Sequence, residues 1–207
     1  RFGFTPDEEV GMGTAHFDIK AFGASAAYTL DGGEIGEVEN ETFLAHMATI
    51  TITGVNVHPG YAKGKLVNSQ KPMGAIVDLI GAQPSPETTE NREAYLHVHS
   101  TKGEVAKSVI QVLIRSFDDE STEVRKALLR RICDEVGALY PGAKIELEIA
   151  ESYKNMKFFL DQHPHVFDRA CQAVEDVGLK VLKKAIRGGT DGARLSERGL
   201  PTPNIFA

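Results

Sequence analysis

Thr49-Ile50-Thr51-Ile52-Thr53 alternates polar and apolar side chains, the period of two that marks a half-buried strand. Downstream, Val67, Met73, Ile76, Val77 and Ile80 fall on one helical face. Pro72 sits inside that pattern, so the regular helix is read from about Lys71, with Pro72 near the first position, where a missing N–H is tolerated. Pro84, Ser85, Pro86 and the Thr88-Thr89-Glu90-Asn91 run read as a loop. Tyr95–His99 and Val105–Phe117 are strand-like and joined through Lys102-Gly103. Over Asp118–Leu139, Val124, Leu128, Ile132 and Val136 recur every four residues with charges between them, a helical pattern. Ile145, Leu147 and Ile149 then alternate with Glu146 and Glu148, giving one apolar and one wet face. The order strand, helix, strand, strand, helix, strand predicts a ferredoxin-like βαββαβ arrangement across residues 43–152, with two helices on one face of a four-stranded sheet.

Outward from that segment the grammar changes. Residues 1–42 are rich in glycine and acidic side chains, with strands expected at Arg1–Thr5 and Ser25–Leu30. Residues 153–207 offer a helix at about His165–Val177, a strand at Leu179–Ile186, the turn Arg187–Gly192, a short helix and a strand at Leu200–Phe206. Strand, Gly-rich turn and helix make an α/β pattern. The economical reading is one α/β domain, residues 1–42 and 153–207, interrupted by the insertion. A chain that opens and closes inside expected strands reads as an excerpt of something longer.

The whole chain has 207 residues, with 23 Lys+Arg against 29 Asp+Glu and a formal charge of −6. Its 42% hydrophobic and 25% charged residues give an ordinary globular balance. No apolar run approaches the ~20 residues that cross a bilayer. The acidic balance argues against nucleic acid as a partner. Cys133 and Cys171 fit no disulfide framework or zinc knuckle, so reduced, cytoplasmic thiols are expected.

Several residues could carry chemistry. Asp7-Glu8-Glu9 follows the first expected strand; neighbours in extended chain point opposite ways, so Glu8 and Glu9 could serve different roles, or the run could be a solvated turn. Asp31 stands at a strand end, where α/β sheets bind ligands, though an Asp also opens turns by bonding its own backbone. His58, in Asn56-Val57-His58-Pro59-Gly60, is a loop histidine with both charge states within reach. His97 and His99 share a strand face as a metal-pair candidate, and His163 and His165 read as structural. Arg187 precedes Gly188-Gly189-Thr190-Asp191, which suits a carboxylate or phosphate. It equally suits a tight turn with Thr190 as helix cap. No P-loop lysine is present. Arg115, ending a strand, is a weak signal alone.

Taken together, Phe4–Gly11, Tyr28–Gly33, Asn56–Gly60, Pro86–Glu90, Ile114–Asp118, Ser152–Met156 and Ile186–Gly192 resemble, in order, the tripeptide aminopeptidases of the di-zinc family that also holds aminoacylases and glutamate carboxypeptidases. The resemblance implies a three-layer α/β catalytic domain carrying the ferredoxin-like domain as a lid. It implies zinc as cofactor, Glu8 as general base, Glu9 and Asp31 as ligands of different zincs, and short peptides as substrate. His58 and Arg115 would reach substrate from the lid, Arg187 would take a peptide carboxylate, and Asp191 would support its turn. The family pattern also uses a His-x-Asp motif and a bridging Asp before Glu8, and a His after the last strand. None falls in this chain, and two carboxylates do not complete two zinc shells of about four ligands each. The segment alone is therefore expected to be inactive and to bind zinc poorly. Another hydrolase of the family (dipeptidase, carboxypeptidase or aminoacylase) is the first alternative. A non-catalytic lid that pairs edge to edge into a homodimer is the second.

Overall fold

The computed structural model describes residues 1–207. In chain order the elements are α1 (Ile19–Phe22), β1 (Thr29–Leu30), β2 (Glu37–Thr42), β3 (Leu44–Thr53), α2 (Gln70–Gly81), β4 (Tyr95–Gly103) and β5 (Lys107–Ser116). There follow α3 (Asp119–Leu139), β6 (Lys144–Tyr153), α4 (Lys157–Leu160), α5 (Pro164–Asp176), β7 (Leu182–Ile186), α6 (Asp191–Glu197) and β8 (Asn204–Ile205). They form two compact units, Arg1–Leu44 with Tyr153–Ala207, and Ala45–Ser152. The fold is α/β with two sheets.

In the second unit the sheet order is β4-β5-β3-β6, so its first strand lies between its third and fourth. Alternation sets the faces: along β5, Ser108, Ile110, Val112, Ile114 and Ser116 are buried while the residues between them are only half-buried. Ala48, Ile50 and Ile52 of β3 join that face and pack with Leu96, with Ile76 and Ile80 of α2, and with Leu129, Ile132, Cys133 and Val136 of α3. Each fully buried Ile or Leu contributes about 1.5–3 kcal/mol relative to exposure. Two sequence readings are corrected here. Val124 is 56% exposed, because a strict four-residue spacing drifts around a helix of 3.6 residues per turn and leaves Leu129, Ile132, Cys133 and Val136 facing inward. Val67 lies outside α2, pairing with Val55, and Pro72 is the third helical residue, still among the four whose N–H groups have no helical partner. Asp118 caps α3, its Oδ1 accepting from Ser121 N at 2.6 Å, which is the preferred chemistry for that position.

In the first unit the sheet runs β1-β8-β2-β7, with β1 parallel to β8, β8 antiparallel to β2, and β2 parallel to β7. Val38 of β2 packs with Phe167, Ala170, Cys171 and Val174 of α5. The long strands expected at Ser25–Leu30 and Leu200–Phe206 shrink to two residues each. Ala27, Thr29 and Asp31 do donate to the carbonyls of Pro201, Pro203 and Ile205 at 3.0–3.3 Å. Pro201 and Pro203 have no N–H to return, so the two-way ladder does not extend back past Thr29. Arg1–Thr5 is no strand; no neighbour pairs with it, and Phe2 and Phe4 are 93% and 91% exposed.

Candidate active site

Glu8 opens a 3₁₀ turn, Glu8–Val10, bracketed by Asp7 at φ 68° and Gly11 at φ 70°. The extended geometry expected for the acidic run is therefore corrected. Asp tolerates the left-handed bend better than most residues, and Gly11 N donates back to Glu8 O at 2.7 Å. Neighbours in such a turn diverge by about 120° rather than 180°. Glu8 is half-buried and Glu9 exposed.

Burial raises the Glu8 pKa above the usual 4.5, and the charges of Asp31, Asp191 and Glu9 raise it further. A hydrogen bond from the Asp191 backbone N–H to the Glu8 carboxylate works the other way, as bonding to the charged form does. Segments distant in sequence thus bring the carboxylates of Asp31, Asp191 and Glu9 within electrostatic reach of Glu8. Beside Glu8 and Glu9 lies a cavity of about 260 Å³, lined also by Tyr153, Thr190, Asp191 and Arg194. The Arg194 guanidinium stands 5.4 Å over the Tyr153 ring, so the acidic rim carries one cation. A larger cavity of about 790 Å³ is walled by Phe2, Phe4, Phe17, Phe22 and Tyr28. Glu8 and Glu9 line only the smaller cavity.

Asp31 follows β1 directly and is exposed. Thr190 caps α6 by accepting from Ala193 N at 3.1 Å, which leaves the Asp191 N–H free of the cap to meet Glu8. Asp191 itself is 5% exposed, and its Oδ2 has no hydrogen-bond partner. A Cβ at Gly13 would collide with that carboxylate, and one at Gly192 would sit 2.6 Å from Asn204 Oδ1 and Thr202 O. These glycines let the acidic loop and α6 close on the strands. Arg187, after β7, is half-buried with its guanidinium 5.1 Å over the Phe43 ring. Sequence reading found these positions but not Tyr153 and Arg194 at the cavity. It also gave no role to Asn155, which is fully buried and accepts at Oδ1 from Thr42 N at 3.1 Å and Lys157 N at 2.9 Å. An Asn after a Tyr-Lys pair carries no local signal of a bond 113 residues away.

His58 and Arg115 belong to the second unit. Exposed His58 bends over its own turn, Nδ1 accepting from Gly60 N at 3.1 Å. A ring nitrogen that accepts leaves the proton on the other one, so Nε2–H is the outward donor. Arg115 Nη1 donates to His46 O at 3.1 Å and to Ile114 O at 3.0 Å. The His97 and His99 rings stand 6.2 Å apart, as do those of His163 and His165. No group of three or more His, Cys, Asp or Glu lies close enough to hold a metal ion. Glu9 and Asp31 are hard oxygen donors in a locally negative region, and so fit a divalent cation as part of a ligand set.

The model of the M20 peptidase dimerisation domain matches residues 40–143. The chain is 49% identical to Peptidase T of Citrobacter koseri over 207 residues, covering all of this chain and 51% of that protein. It is 47% identical to Peptidase T of Vibrio parahaemolyticus over 204 residues, 99% of this chain and 50% of that one. It thus spans about half the length of the curated relatives it matches. Among solved structures it is similar to the aminopeptidase PepT from Bacillus cereus, with TM-score 0.76 and 23% identity over 98% of this chain and 54% of that one. A dinuclear metal-binding peptidase of the M20 family from Bacillus subtilis aligns with TM-score 0.66 and 17% identity, again over 98% and 54%. Those two likenesses bear on the fold alone.

Proposed function

The chain belongs to the family of the M20 peptidase dimerisation domain, and from that membership we propose that the whole protein is a metal-dependent aminopeptidase acting on short peptides, tripeptides above all. The observation that carries this reading is Glu8, half-buried at a small cavity with its pKa raised by burial and by Asp31, Asp191 and Glu9. A general base works best when its pKa is lifted towards the operating pH. Identity of 47–49% to Peptidase T chains supports the substrate class.

In this reading Glu9 and Asp31 would each hold one divalent cation, zinc first among the candidates. Bound cations would polarise the scissile carbonyl and acidify a bound water. Glu8 takes the proton of the attacking water and later returns it to the leaving amine. The Asp191 N–H bond fixes the carboxylate that does so, which gives Asp191 a positioning role at Glu8 beyond its turn. His58, with Nε2–H outward, donates to the oxygen that gains charge as the carbonyl becomes tetrahedral. Arg187 and Arg115 take peptide carboxylate or carbonyl oxygens; the stacking of Arg187 on Phe43 holds a planar donor fork. Residues 43–152 act as the lid on a catalytic domain made of 1–42 and 153–207.

Homodimerisation through the lid is the partner we propose. The order β4-β5-β3-β6 leaves β4 and β6 as sheet edges, and edges offer unpaired backbone groups. No helix is long and apolar enough to cross a membrane; two unpaired, buried thiols, Cys133 and Cys171, support a cytoplasmic setting. The test is hydrolysis of free and N-acetylated tripeptides by the whole protein with and without added zinc. Zinc-dependent cleavage of the free peptide alone supports the reading. Equal cleavage of the blocked peptide points instead to a carboxypeptidase or aminoacylase, and no cleavage of either to a non-catalytic dimerisation module.

A further inference from the structure

The turn that carries His58 is built more tightly than a solvated loop requires. His58 O accepts from Tyr61 N at 2.9 Å, and Pro59 O accepts from Ala62 N at 3.3 Å, with Pro59 pre-setting the bend. The imidazole folds back so that Gly60 N meets Nδ1 at 3.1 Å. A Cβ at Gly60 would stand only 3.2 Å from both Nδ1 and Cε1, so glycine lets the ring come down on the backbone. The other restraint is Tyr61, whose ring lies 5.4 Å from the imidazole, centroid to centroid, at a tilt of 42°.

Tyr61 is 76% exposed. A large aromatic ring left in water contributes little to a core, and here it lies instead against the imidazole. The separation is within the range of attractive tilted ring pairs. The Gly60–Nδ1 bond is itself exposed, so water competes for both of its ends. A ring laid against the imidazole restricts its rotation and screens that bond.

We infer that Tyr61 is a positioning residue: it holds the His58 imidazole on the Gly60 N–H and so keeps Nε2–H aimed outward as a preset donor. The inference rests on the role given to His58 above, but its first test does not depend on activity. In the 207-residue chain, hydrogen exchange of the Gly60 amide and the ¹⁵N signals of the His58 ring are compared among wild type, Tyr61→Ala and Tyr61→Phe. Loss of a ring pair of ordinary strength is expected to speed Gly60 exchange roughly two- to tenfold in Tyr61→Ala. The protonated share of Nε2 should fall as well, while Tyr61→Phe stays at wild-type values. Unchanged exchange and ring signals in Tyr61→Ala overturn the inference; so does Tyr61→Phe behaving like Tyr61→Ala, since the ring would then not be the cause.

In the whole protein, Tyr61→Ala should lower kcat for a tripeptide by a similar roughly two- to tenfold factor with KM nearly unchanged, because an aimed donor acts on the transition state. If His58→Ala lowers kcat and Tyr61→Ala does not, the positioning role is overturned. If His58→Ala leaves turnover intact, the functional reading of His58 fails, while the exchange and ¹⁵N results still decide whether Tyr61 holds the ring.

Discussion

Replacing Glu39 with Gln isolates the charge of one carboxylate in the sheet of the first unit. Glu39 lies on β2 opposite Asn204 of β8 and Lys184 of β7. Burial first, and then the charge of Glu37, lift its pKa from the usual 4.5 to about 7, with the Asn204 amide working against the rise. Below 4.5 the group is protonated in folded and unfolded chains alike and has no effect on pH dependence. Between 4.5 and 7 the folded state keeps a proton that the unfolded state has lost, so stability falls as pH rises. A shift of this size corresponds to about 3.4 kcal/mol at 1.36 kcal/mol per unit. Glu39 is only half-buried, so solvent screening cuts that to about 1–2 kcal/mol. The neighbouring Glu37 shifts the opposite way, held low by the Glu34 backbone N–H and Lys184 against its own burial, and it is present in both proteins. Urea unfolding at pH 5 and pH 8, followed by far-UV circular dichroism, gives the comparison. Wild type should lose about 1–2 kcal/mol more than Glu39→Gln between the two pH values, and the variant should be the more stable at pH 8. Parallel pH dependences for the two proteins would refute the reasoning.

Leu129→Ala removes a fully buried side chain of α3 and should cost about 2–5 kcal/mol in chemical denaturation. Val124→Ala, on the exposed side of the same helix, should stay within about 0.5 kcal/mol. Asn155→Leu leaves the Thr42 and Lys157 N–H groups without their acceptor. Thermal unfolding should report a loss of about 2–3 kcal/mol, because buried donors then go unpaired.

The insertion was legible because each of its elements is internally periodic. Ile50 and Ile52, or Ile110, Val112 and Ile114, announce a strand face without reference to anything distant. Over α3 the helical periodicity misplaces only Val124, because a four-residue step drifts on a helix of 3.6 residues per turn. The flanking unit was harder because its strands are short and prolines cut its pairing off. Pro201 and Pro203 carry that information, but only once it is known which strand lies beside them. At the site, the acidic residues stood out as residue types, yet their geometry did not. The left-handed φ of Asp7 belongs to a local turn that the residue types alone do not announce, and the reach of the Asp191 N–H to Glu8 joins segments about 180 residues apart. Tyr153 and Arg194 also reach the cavity beside Glu8 from segments far along the chain. The ring pair of His58 and Tyr61 lies within four residues, but a tyrosine two places after a His-Pro pair reads from sequence as an ordinary exposed side chain.

Glu8→Gln tests the central proposal most directly, since it keeps the shape of the side chain and removes the proton acceptor. Turnover of a free tripeptide by the whole protein, with zinc content measured on the same samples, is the quantity to compare. The proposed role predicts a fall in kcat of about 10²–10⁴-fold, the usual worth of a general base, with metal content unchanged. Turnover within about twofold of wild type at equal metal content would show that Glu8 does not handle the proton.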